Sequence, residues 1–137
     1  MKVMFLIMIG INSLLLADFS KVGVVITDNK TGLKWQDNST LYSTWQEAID
    51  YCEALDLSGH TDWRLPNINE LKTIVDRSKS NPAIKDGFEY VSSSNYWSSS
   101  SVKSSEYNAW IVSFDYGMVF GDNKVADFYV RCVRDGQ

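Results

Sequence analysis

Apolar and polar positions follow two periods along this chain, and the switches between them mark its elements. Val22 to Thr27 is a β-branched run with the character of one strand. Asp28-Asn29-Lys30-Thr31-Gly32 reads as a turn, with Gly32 free to take positive φ. Leu33-Lys34-Trp35-Gln36 then alternates like the return arm of a hairpin. Asp37-Asn38-Ser39-Thr40 is a loop, and its last three residues match a glycosylation sequon. Beyond it the period becomes helical: Trp45, Ala48, Ile49, Cys52 and Leu55 share one face, with Gln46, Glu47, Asp50 and Glu53 elsewhere. Thr44 is the expected cap, Glu47 completes a capping box, and Ser58-Gly59 ends the helix.

A second helix is expected from Ile68 to about Asp76. Pro66 ends the structure before it, Asn67 caps it, Glu70 closes a capping box, and Leu71, Ile74 and Val75 recur at helical spacing. Trp63 and Leu65 anchor the approach, with Arg64 and Glu70 expected to pair and fix the angle at which the helix begins. Ser78 to Gly87 reads as a loop broken at Asn81-Pro82. The serine-dense stretch Ser92 to Ser105 reads as an exposed loop holding one short strand, Asn95 to Ser99, with Trp97 inward. Tyr107 to Phe114 is apolar on both faces and so a central strand. Asp115-Tyr116-Gly117 turns it into Met118-Val119-Phe120, and Gly121 to Lys124 turns again. Phe128, Val130 and Cys132 share one face of a final strand. Helices followed by clustered strands predict an α+β fold, two helices packed on a twisted antiparallel sheet.

Composition changes this picture in three ways. Lys2 followed by a nearly unbroken apolar run, Val3 to Leu16, reads as a signal peptide cleaved after Ala17, leaving one domain over 18–137. An uncleaved anchor is the alternative, although the run is short for a membrane span of about 20 residues. The expected destination is secreted, periplasmic or cell surface, without membrane insertion after cleavage. Losing the leader removes Lys2 and no acid, leaving 12 basic against 17 acidic residues, a net charge of −5. That field does not draw nucleic acid, and sulfated polysaccharide meets the same obstacle without a local basic patch. The two cysteines, Cys52 and Cys132, make one disulfide the default in an oxidising compartment, with two separate thiols as the alternative.

Five segments carry a resemblance to a known family. They are Asp28 to Gln36; Thr44 to Ala48 with Tyr51-Cys52; Trp63 to Asn67 with Glu70-Leu71; Tyr96 to Ser100; and Val130 to Arg134. In this order they resemble the C-terminal domain of a Legionella collagen-like surface protein. The resemblance covers roughly residues 24–134 and implies a C-type lectin-like fold, in which a helix cysteine bonds to one on the last strand. It also implies a secreted or surface-exposed module, by analogy with an adhesin that engages extracellular polysaccharide. Trp35, Trp45, Trp63, Arg64, Pro66, Asn67, Glu70, Trp97 and Arg131 are its matching positions. This chain has no Gly-X-Y stalk, so trimerisation through a triple helix does not carry over.

The expected function is a non-catalytic binding module for an extracellular glycan or matrix-type ligand. Aromatic faces stack on sugar rings while a few polar groups orient the hydroxyls, and the candidate contacts are Tyr96, Ser98, Tyr107, Asp122, Asn123 and Lys124. Core packing is the simpler role for the motif tryptophans, and a structural pair the simpler role for Arg64 and Glu70. No cofactor is expected; calcium is the one ion considered, yet the Asp28-Asn29 and Asp122-Asn123 turns read more simply as turn chemistry. Neither a nucleophile elbow nor His-Glu-x-x-His occurs, and His60, the single histidine, falls in a turn, so no enzyme is expected. A carboxylate pair for glycoside hydrolysis is the residual enzymatic route. The remaining reading is a structural or protein-interaction subunit of an envelope assembly, of unspecified oligomeric state.

Overall fold

The computed structural model describes residues 17–38 and 41–136. The leader expected over 1–17, apart from Ala17, and Ser39 and Thr40 of the sequon lie outside the described residues. In chain order the elements are β1 (Phe19–Val22), β2 (Val25–Asp28), β3 (Lys34–Gln36), β4 (Leu41–Ser43), α1 (Trp45–Glu53), α2 (Ile68–Lys72), β5 (Asn95–Val102), β6 (Ser105–Ser113), β7 (Met118–Asn123), β8 (Phe128–Val130) and β9 (Val133–Arg134). The class is α+β, as expected. The strands form two sheets instead of one, ordered β1-β2-β3-β9 and β4-β8-β5-β6-β7. Pairing is antiparallel except where β8 meets β5 in parallel at Tyr96 and Tyr129.

Several local expectations are corrected by specific contacts. The Val22 to Thr27 run is not one strand: Gly23, at φ 60°, reverses the chain and makes β1 and β2 a hairpin. β4 was not expected at all. Thr44 caps α1, its Oγ1 accepting from Glu47 N, but Glu47 returns no bond and the capping box expected there is half-formed. α2 stops four residues early because the chain past Thr73 pairs elsewhere, with Asp76 N donating to Ala83 O and Val75 bridging Ile84. β7 continues through Gly121 to Asn123, where a turn was expected. The last strand is two strands, and the chain crosses from one sheet to the other at Arg131-Cys132.

The serine-rich stretch is the largest correction. The short strand expected at Asn95 to Ser99, with Trp97 inward, is there, but it runs on to Val102 as β5 and Ser105 already opens β6, so only Ser92 to Ser94 and the turn Lys103-Ser104 lie outside strands. The β5–β6 register shifts between Trp97 and Ser101, which frees backbone groups from the ladder. Short hydroxyls satisfy backbone groups here: Ser98 Oγ donates to Trp110 O at 2.6 Å within the irregularity, and Ser100 Oγ accepts from Ile68 N, the first N–H of α2, at 2.9 Å. Serine is here a local satisfier of backbone polar groups rather than a loop marker.

Adjacent residues of β5 point to opposite faces and found two cores. Tyr96 joins Ile26, Trp35, Leu71 and Ile74 on one side, while Trp97 joins Ala48, Cys52, Trp63 and Ile111 on the other. Cys52 and Cys132 are disulfide-bonded, with Cα atoms 5.4 Å apart. The bond fastens α1 to the point where the chain changes sheets.

Candidate functional site

β7 is an edge strand, and its register with β6 lays out a face row by row. Ala109 stands opposite Asp122, Ile111 opposite Phe120 and Ser113 opposite Met118. Continuing that register, Lys124 N donates to Tyr107 O at 2.9 Å. Directly opposed residues share a face, so Tyr107, Lys124, Asp122, Phe120 and Met118 lie on one side of the hairpin. It is the α1 side, since Ala109 and Ile111 pack in the same core as Ala48 and Cys52. Across that face the β6 residues Ala109, Ile111 and Ser113 are buried, and what stays exposed is Tyr107 together with Met118, Phe120 and Asp122 of β7. Tyr107 is 73% exposed, Met118 53% and Phe120 47%. At about 3.4 Å of rise per residue, Tyr107 and Phe120 stand about 14 Å apart along the strands, with Asp122 between them.

One corner of this face is rigidly built. Trp45, at the start of α1, donates its indole Nε1–H to Ser98 O at 2.9 Å. Lys124 Nζ lies 4.0 Å from the centre of the Trp45 ring and donates to Ser101 Oγ at 2.8 Å. Trp45 N also donates to Lys124 O at 3.1 Å, so ring and cation are held by backbone as well. Asp122 Oδ1 accepts from Asn123 N, and Asn123 Oδ1 accepts from Val125 N, which shapes the turn. Both residues are exposed.

Asn123 alternates to the other side of β7, and of the six expected ligand contacts Tyr107, Asp122 and Lys124 are brought together here. Tyr96 and Ser98 are not: they are 1% and 0% exposed. The Tyr96 hydroxyl accepts from Ser92 N, burial pushes its pKa up, and the Ser98 hydroxyl is spent on Trp110 O. Sequence reasoning missed Met118, Phe120, Ser101 and the partnership of Trp45 with Lys124. The alternation Met118, Phe120, Asp122 carried the signal, but Gly121 masked it by suggesting a turn.

The other motif residues have structural placements. Trp35, Trp63 and Trp97 are buried; Trp63 Nε1 donates to His60 O at 3.1 Å and Trp97 Nε1 to Ser43 O at 2.9 Å. Pro66 O accepts from Ser99 N, and Asn67 and Glu70 form the expected capping box on α2. Arg64 and Glu70 pair through two bonds of 2.6 and 2.7 Å, and Arg64 reaches Asp135 at 2.8 Å. The guanidinium holds Glu70 below the usual carboxylate range, and Glu70 in turn raises the pKa of Arg64. His60 is exposed, with its backbone bridged to Leu57. Among the described residues no group of three or more His, Cys, Asp or Glu stands close enough to hold a metal, and no helix is long and apolar enough to cross a membrane.

The disulfide is the mark of an oxidising compartment, extracellular or periplasmic. No curated protein matches the chain. The model of the Lcl C-terminal domain, however, matches residues 24–134, the span that carries the half-formed and full helix caps, both cysteines and the Arg64–Glu70 pair, and the chain belongs to that family.

Proposed function

We propose that this protein is an exported, non-catalytic binding module of C-type lectin-like architecture whose ligand is an extracellular glycan. The observation that carries the reading is the open α1-side face of β6–β7, where Tyr107 and Phe120 flank Asp122 beside the Trp45–Lys124 corner. Exposed rings supply stacking surface, and the Asp122 carboxylate and Lys124 ammonium supply the few polar contacts that orient hydroxyls. The spacing of the two rings suits more than one sugar unit. Two placements support a non-catalytic role. The Ser98 hydroxyl is occupied by a backbone carbonyl, and His60 sits in a turn held by Leu57. Calcium is not part of the proposal, because Asp122 Oδ1 and Asn123 Oδ1 serve the turn.

A protein partner is the second reading, favoured by the open edge of β7, whose outward N–H and C=O groups form a template for another strand. A glycan array read with and without calcium, at physiological salt, separates the two. Selective, calcium-independent glycan binding supports the first. No binding in either condition removes it and leaves the strand edge.

A further inference from the structure

Asp122 is an exposed carboxylate with no ion pair among the described residues; its side chain accepts from Asn123 N alone, at 2.7 Å. Lys124 follows two residues on and on the same side of β7, yet it does not offset that charge. Its ammonium lies 4.0 Å from the centre of the Trp45 ring and donates to Ser101 Oγ at 2.8 Å. Directly across the ladder stands Ala109, whose methyl group offers neither charge nor hydrogen bond. An open negative charge is therefore left on the β6–β7 face.

Two rings flank it. Phe120 precedes Asp122 on the same side of β7, and Tyr107 stands diagonally across, opposite Lys124; both are exposed. Diagonal neighbours in an antiparallel pair remain within reach of aromatic side chains. The faces of Phe and Tyr rings attract cations through their quadrupole. Carboxylate and rings thus favour the same ligand charge, in a protein whose formal net charge is −4. A neutral sugar would satisfy the rings alone, and an anionic one would be opposed by Asp122 and by the overall field.

We propose, on the glycan reading of this same face, that its ligand is cationic: a hexosamine oligomer whose amino groups are free rather than acetylated. One sugar ammonium donates to the Asp122 carboxylate between Tyr107 and Phe120, and adjoining sugar rings stack on the two side chains. Acetylation of the amine keeps the stacking and removes the ion pair.

The test is the calorimetric affinity of the protein for β-1,4-linked hexamers of glucosamine, N-acetylglucosamine and glucose, at physiological salt and about pH 6, where amines carry their charge. The glucosamine hexamer should bind about fivefold or more tighter than the other two. Asp122→Asn removes the charge but keeps an oxygen for Asn123 N, and should bring the affinities together. Asp56→Asn removes the same charge from an exposed position after α1 and should leave the preference intact. That control separates a site at Asp122 from general attraction of a polycation to an acidic protein. Equal affinity for the three hexamers in the wild type overturns the cationic ligand and leaves the glycan reading standing. A preference that survives Asp122→Asn, or falls equally in Asp56→Asn, overturns the site at Asp122. Binding of none of the hexamers overturns the proposal, and a glycan array without a selected ligand overturns the glycan reading with it.

Discussion

Arg131 and Asp37 form an ion pair at 3.1 Å, with 3% and 0% of their side chains exposed. Arg131 also donates to Gln36 O and Tyr90 O and lies 4.8 Å from the centre of the Phe88 ring. Asp37 accepts from Glu89 N, Tyr90 N and Lys21 Nζ. Burial works to raise the pKa of Asp37, but Lys21, the two backbone donors and Arg131 together outweigh it and hold the group ionised. The pair therefore joins β1, the end of β3, the 88–90 segment and the crossing between the sheets. Removing one partner leaves the other charge buried, so Arg131→Met and Asp37→Ala should each cost about 3–5 kcal/mol. The double variant should cost less than the sum of the two. Urea denaturation of the three variants checks both statements.

The Arg64–Glu70 pair gives a signed pH dependence. The folded chain holds Glu70 below its ordinary pKa, chiefly through the Arg64 bond. Its contribution is thus complete above the ordinary value of about 4.3 and is lost as pH falls below that, through the folded value. Glu70→Gln should destabilise by about 1–2 kcal/mol at pH 7, between the values for exposed and buried charged bonds. The gap in Tm between wild type and variant should narrow as pH falls from about 4.3 towards 2. A gap independent of pH would remove the pair from the account.

The disulfide closes a sequence separation of 80 residues. In the chain-entropy model a loop of that length contributes about 4–5 kcal/mol. The paired change Cys52→Ala with Cys132→Ala should therefore lower the urea midpoint without removing the helix α1. Two reactive thiols in the denatured, unreduced protein would show that the bond does not form.

How far the sequence reveals this fold depends on which interactions set each element. Local chemistry was legible: Asn67 with Glu70, the stripe through Ala48 and Cys52, and the pairing of Arg64 with Glu70 all act within a few residues. Long-range pairing was not. β4 is three residues long and exists because Leu41, Tyr42 and Ser43 find Val130, Tyr129 and Phe128. The helix beginning at Ile68 ends early because Val75 meets Ile84, and no periodicity records that bridge. Serine density misled for a related reason, since a hydroxyl that serves a distorted strand looks like one that faces solvent. In the candidate site, Tyr107, Asp122 and Lys124 were legible as polar or aromatic residues near turns. Phe120 and Met118 were assigned to a hairpin without its open face, because only tertiary packing reveals which rows stay uncovered.

Gly117 tests the geometry at the β6–β7 connection. It has φ +82°, and a Cβ added there would meet Val75 Cγ1 at 2.5 Å. Backbone strain and overlap both oppose a side chain, so Gly117→Ala should cost about 1–3 kcal/mol. Thermal unfolding measures it, and a neutral or stabilising result would contradict the described turn.

The central claim is that the α1-side face of β6–β7 holds the ligand. Its most direct measurement is the affinity of Tyr107→Ala, Phe120→Ala and Tyr42→Ala for the strongest glycan selected on the array. Tyr42 is 58% exposed and serves as an aromatic control on β4, at the opposite edge of the same sheet. Loss of an aromatic stacking contact predicts about a tenfold weakening for each of the first two variants and wild-type affinity for Tyr42→Ala. Unchanged binding in Tyr107→Ala and Phe120→Ala, or a loss confined to Tyr42→Ala, would contradict it.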